Sequence, residues 1–196
     1  MRRDGETDRE DEISTDDLLS ATSDATLAAR AADGDTRSFE LLARRHGPLM
    51  RVVAGRLLAS DADADDVVQD AFLTAWHRLA DLDDPARLRS WLLRIVSNKS
   101  IDRLRSRREH DDVDVARQAA TTPAPDDVVE ARLQLDAVWR AVDRLPLQQR
   151  RCWLLRETAG WSYAEIAEAL DLTPSTVRGQ LARARRFLLV EMEGWR

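Results

Sequence analysis

Apolar residues recur along this chain at spacings of three and four, and nowhere in the alternation of a strand, so the pattern predicts an all-α fold. The period begins at Leu27, with Ala28, Ala31 and Ala32 completing a short face that ends at Asp33-Gly34-Asp35. A longer run carries Phe39, Leu41, Leu42, Leu49, Val52, Val53, Leu57 and Leu58, with a Gly47-Pro48 step that predicts a bend. Asp61, Asp63, Asp65 and Asp66 lead a third helix, where carboxylates suit the positive end of the helix dipole. Val67, Val68, Ala71, Phe72, Ala75 and Trp76 then share one side, with Asp66, Gln69, Asp70 and Leu73 on the other. After the loop at 81–85, a fourth helix sets Leu88, Trp91, Leu92, Ile95, Val96, Ile101 and Leu104 inward. Arg87, Arg89, Arg94, Asn98, Lys99, Arg103 and Arg105 face outward from it.

From Ser106 to about Glu130 the period stops, and Thr121, Thr122, Pro123, Ala124 and Pro125 among carboxylates read as a linker. The pattern therefore predicts two helical domains, 27–106 and 130–196, joined by a flexible acidic linker at 107–129. Residues 1–26 are acidic and aperiodic, and they read as a disordered tail. In the second domain Leu133, Leu135, Val138, Trp139 and Val142 form a face closed by Leu145-Pro146. Cys152, Trp153, Leu154 and Leu155 form the next, before Ala159-Gly160. Two short helices follow across a tight turn. Ser162 and Glu165 make a capping box, and Ile166, Ala167 and Leu170 share one face. Thr173 is an N-cap and Pro174 fits the first helical position; Asp171, at the turn, is one of the few residue types that accept a left-handed backbone. Val177, Leu181 and Ala184 point inward, and no acidic residue falls between Pro174 and Val190. That is the sequence form of a DNA-reading helix-turn-helix, with an ordinary basic helical hairpin as the plainer alternative. The last helix is expected to run on through Phe187 to Trp195.

The formal charge of −6 argues at first against nucleic acid, but its distribution points the other way. Residues 1–26 carry −6, 61–84 carry −7, 86–108 carry +7 and 109–130 carry −6. Blocks of this size suit separate surfaces for separate partners. A single cysteine, Cys152, excludes an internal disulfide and reads as a buried thiol. No apolar run approaches the roughly 20 residues that span a bilayer, and the N-terminus is acidic, so a cytoplasmic protein without membrane insertion is expected. His46, His77 and His110 lack metal-ligand spacing. There is no Gly-rich phosphate loop and no nucleophile–base set. No catalytic residue, metal or cofactor is expected.

Three segments together, Asp65 to Trp76, Leu88 to Asn98 and Ser162 to Arg186, resemble the bacterial sigma-70 family. With two domains, the chain resembles the extracytoplasmic-function (ECF, group 4) sigma subunits of RNA polymerase. The likeness covers about residues 27–106, as a sigma region 2-like domain, and 130–190, as a region 4-like one. It implies that Asp66, Gln69, Asp70 and Leu73 dock on the clamp helices of the polymerase β′ subunit. It implies that the loop Leu82, Asp83, Asp84 to Leu88, with Asn98, captures a flipped base of the −10 promoter element. Flipping costs a few kcal/mol, which hydrogen bonds to the base edge offset. Trp91 matches an aromatic at the edge of the melted DNA and equally fits the apolar face. Arg87, Arg89, Arg94, Lys99, Arg103 and Arg105 would hold phosphates. Arg178, Gly179, Gln180 and Arg183 match the contacts to the −35 element, where Arg suits guanine and Gln suits adenine. Arg185 and Arg186 read as phosphate contacts. Many relatives have Ser-Arg where this chain has Gly179-Gln180, so its −35 preference is expected to differ. The implied partners are core RNA polymerase (β′ clamp helices and β flap), promoter DNA and an anti-sigma factor.

Two other functions compete. A stand-alone helix-turn-helix regulator would bind duplex DNA without polymerase, but it leaves the basic fourth helix without a purpose. An enzyme has no candidate site.

Overall fold

The computed structural model describes residues 22–110 and 137–193. The expected tail through Ala21, residues 111–129 of the expected linker, Leu133 and Leu135 of the second domain's first face, and Trp195 lie outside the described residues. Eight α-helices and two short 3-10 turns account for the rest, and no strand occurs among the described residues. α1 is Asp24–Ala32, α2 Thr36–Leu58, α3 Asp61–Arg78 and α4 Leu88–His110. α5 covers 137–143, followed by α6 Leu147–Glu157, α7 Tyr163–Leu170 and α8 Pro174–Glu193.

α1 begins three residues earlier than the apolar period predicts, because Ser23 caps it: its hydroxyl accepts from the Thr26 amide at 3.2 Å. Asp24 in the first turn reaches Arg45 at 2.6 Å and His46 at 2.8 Å on α2, so the helix is tied sideways from its start. Asp35 caps α2 by accepting from the amides of Arg37 and Ser38. α2 then runs through Gly47-Pro48 without a break. Pro48 and Arg44 are both exposed, so water can serve the carbonyl that the proline cannot.

α2 and α3 form a tight hairpin. Ala59 adopts the left-handed conformation at φ 56°, its amide donates to Gly55 O at 2.8 Å, and Ser60 caps α3. Gly55 marks the close approach, since a Cβ there would stand 3.3 Å from an Asp61 carboxylate oxygen. Met50, Val53, Leu57, Ala64, Ala71, Leu92 and Val96 fill the centre of this four-helix unit, each no more than 2 % exposed. The unit shares one continuous apolar cluster with the second, built from Val142, Leu145, Leu154, Leu155, Ile166 and Leu181.

α4 runs to His110, past the point where the apolar period fails at Ser106. Its last turns are held by charge rather than by apolar burial. Asp63, in the first turn of α3 and 8 % exposed, accepts from Arg103 at 2.9 and 3.2 Å and also pairs with Arg107.

Candidate nucleic-acid interface

The helix-turn-helix forms as its capping signals predict. Ser162 Oγ accepts from the Glu165 amide while Glu165 accepts from the Ser162 amide at 2.7 Å, closing the capping box. The Ser162 amide and hydroxyl beside the carboxylate, with the Arg94 guanidinium, pull the Glu165 carboxyl down to about 2. Asp171 takes the left-handed conformation at φ 56° and ends α7, and Thr173 Oγ1 then accepts from the Thr176 amide to start α8. Val177, Leu181 and Ala184 are at most 1 % exposed, packed with Ile166 and Ala167 of α7 in the core. Their burial fixes the rotation of α8. Arg178, Arg183, Arg185 and Arg186 therefore emerge into solvent, with Gly179 and Gln180 half-buried between them. Arg183 folds back over Gly179, its guanidinium 3.6 Å from where a Cβ would stand. Arg185 is drawn aside to Glu157 at 2.8 Å.

The second basic surface is α4 with the loop before it. Asp84 caps the 3-10 turn Pro85–Arg87 by accepting from the Ala86 amide at 3.0 Å, and it pairs with Arg87 at 3.4 Å. Asp83, Asp84 and Arg87 are exposed, while Leu82 is half-buried against the core. Leu88 departs from its place in the expected base-capturing loop. At 2 % exposure its side chain anchors the loop in the core and has no surface to offer a base. Trp91 is half-buried and packs on the core with one side open, so its two expected roles are compatible. Arg89, Arg94, Asn98, Arg103 and Arg105 are exposed and Lys99 is half-buried.

Several of these arginines already hold a carboxylate: Arg87 with Asp84, Arg94 with Glu165, and Arg103 with Asp63. The first two pairs are open to solvent on both sides and contribute about 0–1 kcal/mol each, so a nucleic-acid phosphate can exchange for the carboxylate there at little cost. Asp63 is buried, and its hold on Arg103 is firmer.

A third surface lies on α3. Asp66, Gln69, Asp70 and Leu73 are all exposed, Leu73 at 55 %. Beside them is an open groove of about 420 Å³ with Phe39, Val68, Phe72 and Trp76 in its walls and Asp65 and Gln69 at its rim. Phe39 sets its ring edge-on to Phe72 and Trp76, with centroids 6.1 and 5.0 Å apart. The apolar period sets Val68, Phe72 and Trp76 on one apolar face, and they stand half-buried on it along this groove. Asp65 pairs with Arg51 of α2 at 2.5 Å, which holds its carboxyl below the usual range although slight burial opposes this. Among the described residues no group of three or more His, Cys, Asp or Glu could hold a metal ion.

The family model for Sigma-70 region 2 matches residues 42–110, which end where α4 ends, and that for Sigma-70 region 4 matches 135–188. The chain belongs to the sigma-70 family. Among its relatives, the RNA polymerase sigma factor NccH of Alcaligenes xylosoxydans xylosoxydans is 37 % identical over 171 residues, covering 84 % of this chain and 92 % of NccH. The ECF RNA polymerase sigma factor SigM of Mycobacterium tuberculosis is 36 % identical over 166 residues, covering 85 % of this chain and 83 % of SigM. The chain is thus a sigma factor of the ECF type. In fold it is similar to the sigma factor RpoE of Bartonella quintana, solved with the anti-sigma factor NepR. That likeness has 25 % identity and a TM-score of 0.51, covering 80 % of this chain and 98 % of that one. α4, the first fifteen residues of α8 and every wall of the α3 groove but Phe39 fall within the matched regions of this sigma factor.

Proposed function

We propose that this chain is the promoter-specificity subunit of bacterial RNA polymerase and that it divides the work among these three surfaces. Residues 27–106 dock on the enzyme through Asp66, Gln69, Asp70 and Leu73, and the α3 groove beside them receives an apolar anchor. The same domain opens the −10 element. Asp83, Asp84, the loop backbone and Asn98 address an extruded base, Trp91 stacks at the edge of the opened strand, and Arg87, Arg89, Arg94, Lys99, Arg103 and Arg105 hold phosphates. Residues 130–196 read the −35 element in the major groove with Arg178, Gly179, Gln180 and Arg183, and Arg185 and Arg186 hold its backbone. The stretch that follows α4, residues 111–129, spans between the two. The protein performs no chemistry of its own and acts in the cytoplasm, where the polymerase is.

The observation that carries this reading is the pairing of surfaces on one short unit. A basic helix that can take single strands stands on the same four-helix body as an acidic, apolar-floored groove that suits a protein. A regulator that binds duplex DNA alone has use for neither. The similar sigma factor RpoE, solved with the anti-sigma factor NepR, supports a similar partner for this chain. The deciding experiment is run-off transcription from a promoter library with core polymerase and the purified chain. Promoter-dependent transcripts are expected, and they would report both elements together. Tight binding to duplex DNA with no transcripts would favour the stand-alone regulator.

A further inference from the structure

The loop assigned to the −10 base is backed by a helix that no role has yet been given. The loop leaves α3 through the 3-10 turn Leu79–Asp81 and enters α4 through the turn Pro85–Arg87. α1 packs on both turns, as well as on α2 and α4. Its buried residues Leu27, Ala28 and Ala31 join one apolar cluster with Leu79 and Leu88, which anchor the two ends of the loop. Asp83, Asp84 and Arg87 are exposed on the outer side. The loop's shape toward a base is therefore set from within, by where α1 stands. α1 cannot hold that place alone. It has nine residues and one large buried side chain, Leu27, and a helix so short is marginal in water by itself.

A polar clasp supplies the rest. Asp24 Oδ1 accepts from Arg45 Nη1 at 2.6 Å, and Asp24 Oδ2 lies 2.8 Å from His46 Nε2. The same Arg45 nitrogen donates to Thr22 O at 2.8 Å, so it grips the chain on both sides of the Ser23 cap. His46 is 8 % exposed, which sets this clasp apart from a loose surface pair. At the other end of α1, Gly34 turns the chain at φ 96° and the Asp35 amide donates to Arg30 O at 3.0 Å. The helix is thus fixed by side chains at its start and by a tight turn at its end. Resting on the −10 reading above, we propose that Asp24, Arg45 and His46 are positioning residues for base capture: they seat α1, and α1 sets the inner wall of the loop. None of the three has to touch the strand. Without the clasp, α1 and the loop shift together, and ordering the loop around a base then costs part of the binding energy. The docking side chains of α3 lie outside this arrangement, since α1 packs mainly on α2, the two turns and α4.

The test is Asp24→Ala in the full chain, with Asp24→Glu as the conservative variant. Alanine is the best helix former, so α1 keeps its propensity and loses the clasp. Three quantities are measured: affinity of the chain for core polymerase, affinity of the reconstituted holoenzyme for a fluorescent single-stranded −10 oligonucleotide, and hydrogen exchange of the amides at 79–88. The oligonucleotide comes from a promoter found in the run-off assay. Asp24→Ala is expected to bind it about fivefold more weakly, with core affinity unchanged and faster exchange at 79–88. Asp24→Glu is expected to restore most of both. Unchanged oligonucleotide affinity would overturn the proposal, and so would a parallel loss of core affinity, which would mark a general weakening of the fold. Run-off transcription separates this from the reading beneath it. No promoter-dependent transcripts from the unaltered chain would overturn that reading; transcripts together with a capture step indifferent to Asp24 would remove only the positioning role.

Discussion

At the scale of single residues, Gly179 leaves stability unused in the recognition helix. It lies inside α8 with an ordinary helical backbone, and an added Cβ would meet only the Arg183 guanidinium, at 3.6 Å or more. Replacing it with alanine should therefore raise stability by about 0.8–1 kcal/mol through helix propensity alone. At that distance the methyl is in ordinary van der Waals contact with Arg183 and leaves it in place, so the urea midpoint should rise with the preferred −35 sequence unchanged. Its neighbour Arg178 projects without a carboxylate partner among the described contacts. Arg178→Ala is expected to lower promoter use mainly at one −35 base pair, by about 1–3 kcal/mol of discrimination. Transcription from a library randomised at −35 distinguishes this from a uniform loss, which would mark a phosphate contact.

At the scale of elements, the junction of α3 and α4 is held by Asp63, which gathers Arg103 and Arg107 from a helix forty residues on. Asp63→Asn should lower stability by about 1–2 kcal/mol, the range for a lost hydrogen-bonded charge that water can partly replace. Protection of amides in the last turns of α4 should fall with it, as hydrogen exchange would report. These turns also mark where the sequence was legible and where it was not. The helix-turn-helix was readable residue by residue, because capping boxes, N-caps and turn residues act within three or four positions of one another. Ser162, Glu165, Asp171 and Thr173 all do what local rules demand. The end of α4 was not readable, since its cause is a carboxylate remote in sequence. The start of α1 was hidden for a different reason. Ser23 and Asp24 sit in a run of acidic and polar residues whose composition resembles a tail, and the cap is visible only once Asp24 finds Arg45 and His46. The α3 groove was concealed by the period itself, which sorts residues by face and cannot tell a filled face from one with room left in it.

At the scale of the whole molecule, the depressed carboxylates define an acid limit. Glu165 falls from its ordinary 4.5 to about 2. Asp35 is lowered by the Ser38 hydroxyl and Asp65 by Arg51, both from an ordinary 3.8. At Asp24 burial pushes upward, but the bonds to Arg45 and His46 outweigh it and the carboxyl is lowered too. A carboxyl lowered by folding favours the folded state above its ordinary value, and that contribution is lost as protons bind the unfolded chain more readily. Stability should thus hold down to about pH 4.5 and decline from there toward pH 2. Thermal melts across that range check this, and Glu165→Gln should flatten the part of the decline that belongs to α7. The contact between the two units was the least legible feature of the sequence. Arg56 and Asp143 are 87 positions apart, and each alone reads as an ordinary surface charge.

Arg94 and Glu165 belong to one polypeptide, joined through the stretch between His110 and residue 137. Their meeting is therefore governed by a local concentration, which neither dilution nor expression level changes.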